Sequence, residues 1–553
     1  MPSLLSCCFP RRRSRDAKKW KAIEEAATEL QLRSLPSWNA QEENPLLFQG
    51  FEWHVPADGE HWTRLRRALP SLVSLGVSQI WLPPGCKGMD RNGNGYDIYD
   101  LYDLGEFEQK SARETKFGSR EKLQELVDEA KRLGVGVVWD AVLNHKAGAD
   151  RVESCRAVMV NPERRTADIS NPTEIDAWTA FDFAGRGDKY SSMKYNRSHF
   201  SGVDWDDKSR KNAIYRILSP SRNAWADDVS HEKGNYDYLM FANLDFSHPE
   251  VREDLLHWAS WITSQLSLSG MRFDAAKHFS SRFQRDCVQH VRKTVNPDFF
   301  VIGEYWTGNI KELIKYLEDM QYTVSAYDVP LVNNFSKISK TQGADMRTLF
   351  DGTLVQQRPD HAVTIVTNHD TQPGQMMDTP ISPPFKLHAY TLTLLRKSGL
   401  PSLFYGDLYG ILSNVGKPLT PACKGALPLL ARARKHFAYG EQQDYFDEPH
   451  CVGFVRYGNG HHRSGLACVL SNAGAATKRM YVGLGHSREV WIDILRSTPG
   501  SEEPFQGQDR DQPAKVIINE RGYGEFPVPA RGVSIWIEMK AARREEIGLW
   551  ERL

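Results

Sequence analysis

Short apolar runs at 46–53, 77–83, 135–140, 270–274, 299–304, 323–330, 362–368 and 401–406 alternate with amphipathic stretches at 62–75, 119–133, 249–266, 281–295, 310–319, 385–397 and 424–436. Apolar residues at spacings of three and four read as helix faces, and short apolar runs bounded by turn residues read as buried strands. Parallel strands need a crossover between them, because a tight hairpin can only reverse direction. A strand–helix alternation carried through eight strands therefore predicts an α/β fold, a closed (β/α)8 TIM barrel, over a doubly wound sheet.

One crossover breaks the rhythm. Residues 145–245 are rich in Asp, Asn, Gly and aromatics and show no clean helical period. Structureless loops of that length are rare in compact domains, so an inserted domain is expected at 145–245, after strand 3. It splits the barrel into 43–144 and 246–438. Alternating runs at 451–457, 466–471, 479–482, 490–495 and 533–538 predict a C-terminal antiparallel β-sandwich domain at 439–540. Residues 1–42 read as a basic tail with a helix at 16–32, and 541–553 as a charged tail.

Lys plus Arg balances Asp plus Glu at 70 each in the 553 residues, which leaves no basic field to hold nucleic acid. No apolar run reaches the ~18 residues a membrane span needs. The N-terminal charges follow the short apolar stretch instead of preceding it, so it does not read as a secretory signal. The cysteines lack metal-ligand spacing, and reduced thiols in a cytoplasmic monomer are expected. Cys7 and Cys8, followed at once by Arg11, Arg12 and Arg13, suit a lipid anchor by reversible S-palmitoylation at a membrane face. A plain tail with two idle thiols is the competing reading.

In a parallel barrel the strand ends collect on one face, where catalytic groups gather. Those ends carry Asp140 to Asn144 and His145, then Arg272, Asp274, Lys277 and His278, then Glu304, then His369 and Asp370. Asp274, Glu304 and Asp370 should thus converge with Arg272, His145 and His369 around them. Gathering like charges is unfavourable, which argues for chemistry instead of scaffolding. Arg272 and Asp274, two residues apart on a strand, share a face. The arginine is expected to lower the Asp274 pKa and keep it ionised. Paired carboxylates among sugar-stacking aromatics are the equipment of a glycosidase, one attacking and one protonating the leaving oxygen.

These stretches resemble the signature regions of the α-amylase family, glycoside hydrolase family 13. So do Phe51-Glu52-Trp53, 95–107 with Tyr96, 234–240 with Asp237, Asn368 to Gln375, Phe404 to Asp407, 435–447 and 478–483. The likeness spans residues 43–540 and is greatest to the liquefying bacterial enzymes, with the intracellular fungal branch beside them. It implies hydrolysis of α-1,4-glucan with retention, Asp274 as nucleophile, Glu304 as acid/base and Asp370 as transition-state stabiliser. By the same resemblance Tyr96, His145, Arg272, His369, Lys277 and His278 would contact sugar, with Gln49 and Trp53 on the cleft floor. Asn144, Asp237, Asn243 and the His278 carbonyl would hold one Ca2+. A multi-ion cluster is not expected, because Ser201, Ala226, Asn243 and Ser247 stand where liquefying enzymes carry further metal-binding aspartates. Two alternatives remain open at this point: a 4-α-glucanotransferase in the same fold, and a non-catalytic glucan-binding or transporter-accessory relative.

Overall fold

The structure, a computed structural model, describes residues 44–219, 224–412, 417–495 and 514–548. The Cys7–Cys8 pair and the helix expected at 16–32 lie outside them.

Eight parallel strands close into a barrel: β1 Leu47–Gln49, β2 Gln79–Leu82, β3 Gly136–Ala141, β4 Gly270–Phe273, β5 Phe300–Gly303, β6 Ser325–Tyr327, β7 Ala362–Thr364 and β8 Leu400–Phe404. Each strand pairs with its sequence neighbour, and β8 closes back on β1. Both faces of these strands are covered, one by the barrel interior and one by helices, so nearly every strand residue is buried.

The helices after each strand are α1 His61–Ser74, α2 Arg120–Arg132, α3 Pro249–Gln265, α4 Ser281–Thr294, α5 Ile310–Asp319, α6 Val329–Lys340, α7 Pro383–Leu394 and α8 Leu427–Phe437. In α1, Trp62, Leu65, Leu69 and Leu72 recur at the helical period and form the buried stripe. Ser119 and Ser280 start α2 and α4 by accepting the N–H of Lys122 and Phe283.

Helix α6 corrects the sequence reading, which took 323–330 as strand and placed no helix before strand 7. Strand β6 stops at Tyr327, and Asp328 caps α6 by accepting the Leu331 N–H. Asp followed by Val-Pro is a helix-start signal, with proline in the first turn where its missing N–H goes unneeded.

Between β3 and α3 the chain builds an antiparallel sheet whose long members are Arg151–Asn161, Thr173–Ala180, Phe200–Asp206 and Lys211–Ile217. Its two ends meet where β3 leaves the barrel: His145–Lys146 pairs with Ala242–Leu244, setting Asn243 opposite His145. That pairing brings the inserted sheet to the mouth of the barrel.

The C-terminal sheet runs Gln442–Glu448, Cys451–Arg456, Leu466–Ser471, Val533–Glu538, Val490–Asp493, Lys515–Ile517, with Ala476–Tyr481 and Tyr523–Val528 paired beside it. Trp491, Phe526, Trp536, Met480 and Val469 fill the core between them. Three of these strands were missed in the sequence. Gln442–Glu448 is a polar edge strand, Lys515–Ile517 is very short, and Tyr523–Val528 holds a Gly and a Pro.

Candidate active site

Register along the barrel sets the catalytic geometry. Arg272 on β4 lies beside Asp140 on β3, and Phe273 beside Gly303 on β5. The next residues, Asp274 and Glu304, therefore emerge as neighbours, and their N–H groups extend the ladder to Ala141 and Phe273. His369 and Asp370 arrive on the loop after β7.

The guanidinium of Arg272 is fully buried and lies 2.7 Å from each of Asp140, Asp274 and Glu304. Burial alone would lower its pKa, but the carboxylates, led by Asp140 and Glu304, outweigh burial and push it well above the ordinary value. Asp274 departs from the sequence expectation. Burial pushes its carboxyl up to about 6, Arg272 pulls the other way, and the buried Asp140 charge adds to the rise. An arginine already neutralised by Asp140 cannot offset the loss of hydration. Glu304 is also raised, by burial first and against Arg272, with the neighbouring Asp274 charge adding to the rise. Asp370 goes well above the usual carboxylate range for burial and for Glu304.

Ala275 adopts a left-handed backbone at φ 50°, and its N–H donates to Glu304 Oε2 at 2.8 Å. Strain of this kind collects at functional sites. Here it fixes one oxygen of Glu304, because Arg272 Nη2 faces the same Oε2.

The ring planes of Trp53, Tyr96 and His369 lie parallel to within 5°. The Tyr96 hydroxyl donates to Asp140 Oδ2 at 3.0 Å, as does the Trp81 indole N–H. Lys277 donates to Glu232 at 2.7 Å and to the Trp306 carbonyl, and the His278 ring donates from Nδ1 to the Tyr236 carbonyl. The His145 ring donates from Nε2 to the Tyr96 carbonyl, leaving Nδ1 buried without a partner among the described residues. Gln49 does not line the floor. It is 1% exposed and lies behind His369, with its amide against Nδ1.

Asp140, the buried anion that sets the state of Arg272, is the residue of this site that the sequence leaves without a role. Its signal was a carboxylate inside an apolar strand run, where a charge needs a partner.

The residues expected to hold a cation do meet. Asn144 donates to the His278 carbonyl at 3.0 Å and toward that of Asp237, and Asn243 donates to Asp237 Oδ1 at 3.1 Å. Among the described residues, the Oδ1 atoms of Asn144 and Asn243 are buried with no partner. Two orphaned carboxamide oxygens beside a buried carboxylate are a donor set that fits a hard cation. Ser201 accepts from Asn243, and Ser247 donates to Asp245. Elsewhere His199, His248 and Glu250 cluster closely enough to share an ion. His199 Nδ1 accepts the Asn196 N–H, however, so the neutral ring carries its proton on Nε2, toward Glu250. That tautomer offers no lone pair to a metal.

Residues 65–415 match the family model for the α-amylase catalytic domain. A glucan 1,4-α-maltohexaosidase of Bacillus sp. (strain 707) is 42% identical over 497 residues, covering 89% of this chain and 92% of that protein. The cytoplasmic α-amylase of Escherichia coli is 36% identical over 89% of this chain and 99% of its own length. Among solved structures, an Anoxybacillus α-amylase superposes with a TM-score of 0.59 at 16% identity, over 90% of this chain and 98% of that one, a likeness of fold. With the barrel, its mouth of buried carboxylates and these relatives together, the chain belongs to the α-amylase family.

Proposed function

We propose that this protein hydrolyses internal α-1,4 bonds of glucans with retention of configuration, using Asp274 as nucleophile and Glu304 as acid/base. The observation that carries the assignment is the single guanidinium of Arg272 set 2.7 Å from both carboxylates at the ends of adjacent strands.

The two groups differ in how they are held. Arg272 Nη1 donates to Asp274 Oδ1 at 2.7 Å, orienting that carboxylate as an anion above about pH 6. Glu304 takes its hydrogen bond and its Arg272 contact on Oε2, so the proton it delivers rides on Oε1. In the first step an Asp274 oxygen bonds to the anomeric carbon while the bond to the leaving oxygen breaks, and Glu304 gives that oxygen its proton. In the second step Glu304, now ionised, takes a proton from water as the water displaces Asp274. Two inversions restore the α configuration. Asp370, its carboxyl pushed well above the usual range by burial and by Glu304, and His369 beside it face the sugar at the cleavage point. Tyr96 and Trp53 give it flat surfaces, and Lys277 and His278 take the leaving-group side.

One Ca2+ fits Asn144, Asp237, Asn243 and the His278 carbonyl. Bound there, it would cross-link the inserted sheet to the barrel mouth and leave the chemistry to the carboxylates. The E. coli relative supports a cytoplasmic location. Product analysis on maltooligosaccharides of defined length tests the reading: internal cleavage supports it, and release of single glucose units from chain ends overturns it.

A further inference from the structure

The geometry points to Gln49 as a positioning residue that fixes the tautomer of His369. Gln49 closes strand β1, paired with Trp81 of β2 and Phe404 of β8, so its backbone is locked on both sides. Its side-chain Nε2 lies 2.9 Å from His369 Nδ1, and the two residues are 1% and 0% exposed. A primary amide nitrogen carries hydrogens only, so Nδ1 must present its lone pair. The neutral ring then bears its proton on Nε2.

That nitrogen stands 2.7 Å from the Tyr96 hydroxyl and 3.1 Å from Asp370 Oδ2. Tyr96 gives its own hydrogen to Asp140 and so offers His369 a lone pair. A directed chain results: Gln49 donates to His369, His369 to Tyr96 and Asp370, Tyr96 to Asp140, and Arg272 to Asp140 from the far side. The rings of Phe51 and Trp81, with centroids 4.9 and 5.7 Å away, hold the imidazole in plane. Reversing the tautomer would set two N–H groups against each other at Gln49 and a bare nitrogen against the Tyr96 oxygen, whose hydrogen is already given to Asp140. Both side chains are buried, and each mismatch leaves a buried polar atom unsatisfied. Gln49 therefore acts through His369 and touches no substrate.

The catalytic consequence rests on the roles proposed for Asp370 and His369, but the tautomer itself does not. Full-length protein labelled with [15N]histidine tests both, with the His369 signals assigned by their loss in His369→Asn. In wild type without substrate, Nδ1 should resonate as an unprotonated nitrogen and Nε2 as a protonated one. Gln49→Glu is nearly isosteric and, in the ionised form present above its pKa, can only accept, so at such pH it should move a proton onto Nδ1 and lower kcat by about 10–100-fold, as loss of a supporting hydrogen bond commonly does, with KM moving less. Gln49→Met removes the donor without replacing it and should give a mixed ring signature and a smaller loss. A protonated Nδ1 in wild type overturns the assignment, and so does a Gln49→Glu enzyme with wild-type kcat. If Gln49→Glu does not fold, the wild-type spectrum and Gln49→Met decide the matter. A wild-type ring with the expected nitrogens but an inactive protein would count against the proposed reaction and leave the tautomer standing.

Discussion

Arg272 and Asp140 form an ion pair with no exposure of either side chain, Nη1 to Oδ1 at 2.7 Å. This buried pair is the anchor on which Asp274 and Glu304 depend. Lysine could supply the charge of Arg272 but only as a point, without the planar fork that reaches three carboxylates. Arg272→Lys should fold and lose most of its turnover. Arg272→Met leaves Asp140 buried and unpaired, and should lower stability by about 3–5 kcal/mol. Chemical denaturation checks the second variant and steady-state kinetics the first; near wild-type kcat in Arg272→Lys would contradict the shared-guanidinium geometry.

The raised pKa of Asp274 fixes the acid limb of the pH profile. Its carboxyl must be ionised to attack and sits at about 6. kcat/KM, which reports the free enzyme, should therefore fall as pH drops through about 6. A profile flat to about pH 4, near the ordinary carboxylate value, would mean that Arg272 wins over burial after all.

Asp274 shows where the sequence was legible and where it was not. Strand ends can be read from apolar runs, and they put Asp274, Glu304, Asp370 and Arg272 at one mouth. What stayed hidden was the balance between burial and charge, which depends on Asp140 across the β3–β4 pair. Gln49 was drawn to the cleft floor by its motif, and only the side-chain direction moved it behind His369. Helix α6 was hidden by the apolar Val329-Pro-Leu-Val332 continuing straight from β6.

Two orphaned oxygens, Asn144 Oδ1 and Asn243 Oδ1, set the expectation for metal removal. EDTA should lower Tm, and elemental analysis should find one calcium per chain. At a hundredfold excess over its Kd a cation bound only by the folded state stabilises by about 2.7 kcal/mol. An unchanged Tm would show a hydrogen-bonded patch without metal, and three ions per chain would show that Ser201, Ala226, Asn243 and Ser247 do not limit the site as argued.

His61, the first residue of α1, makes stability pH-dependent. Burial holds its ring pKa down to about 3, and it hydrogen-bonds the Gly50 carbonyl. The unfolded ring, with a pKa near 6.5, binds a proton that the folded ring refuses. Its contribution is present above pH 6.5 and is lost progressively as pH falls toward 3. His61→Gln keeps a donor for Gly50 and cannot titrate. Its unfolding free energy should fall less steeply with acid than that of wild type, and equal slopes would contradict the assignment.

The nucleophilic role of Asp274 is tested most directly by the configuration of the first product. Proton NMR during the opening minutes of hydrolysis, before mutarotation, reads the new reducing end. Double displacement through Asp274, with Glu304 as acid and then base, requires the α anomer to appear first. An initial β anomer would mean a single displacement by water, and Asp274 would not be the nucleophile.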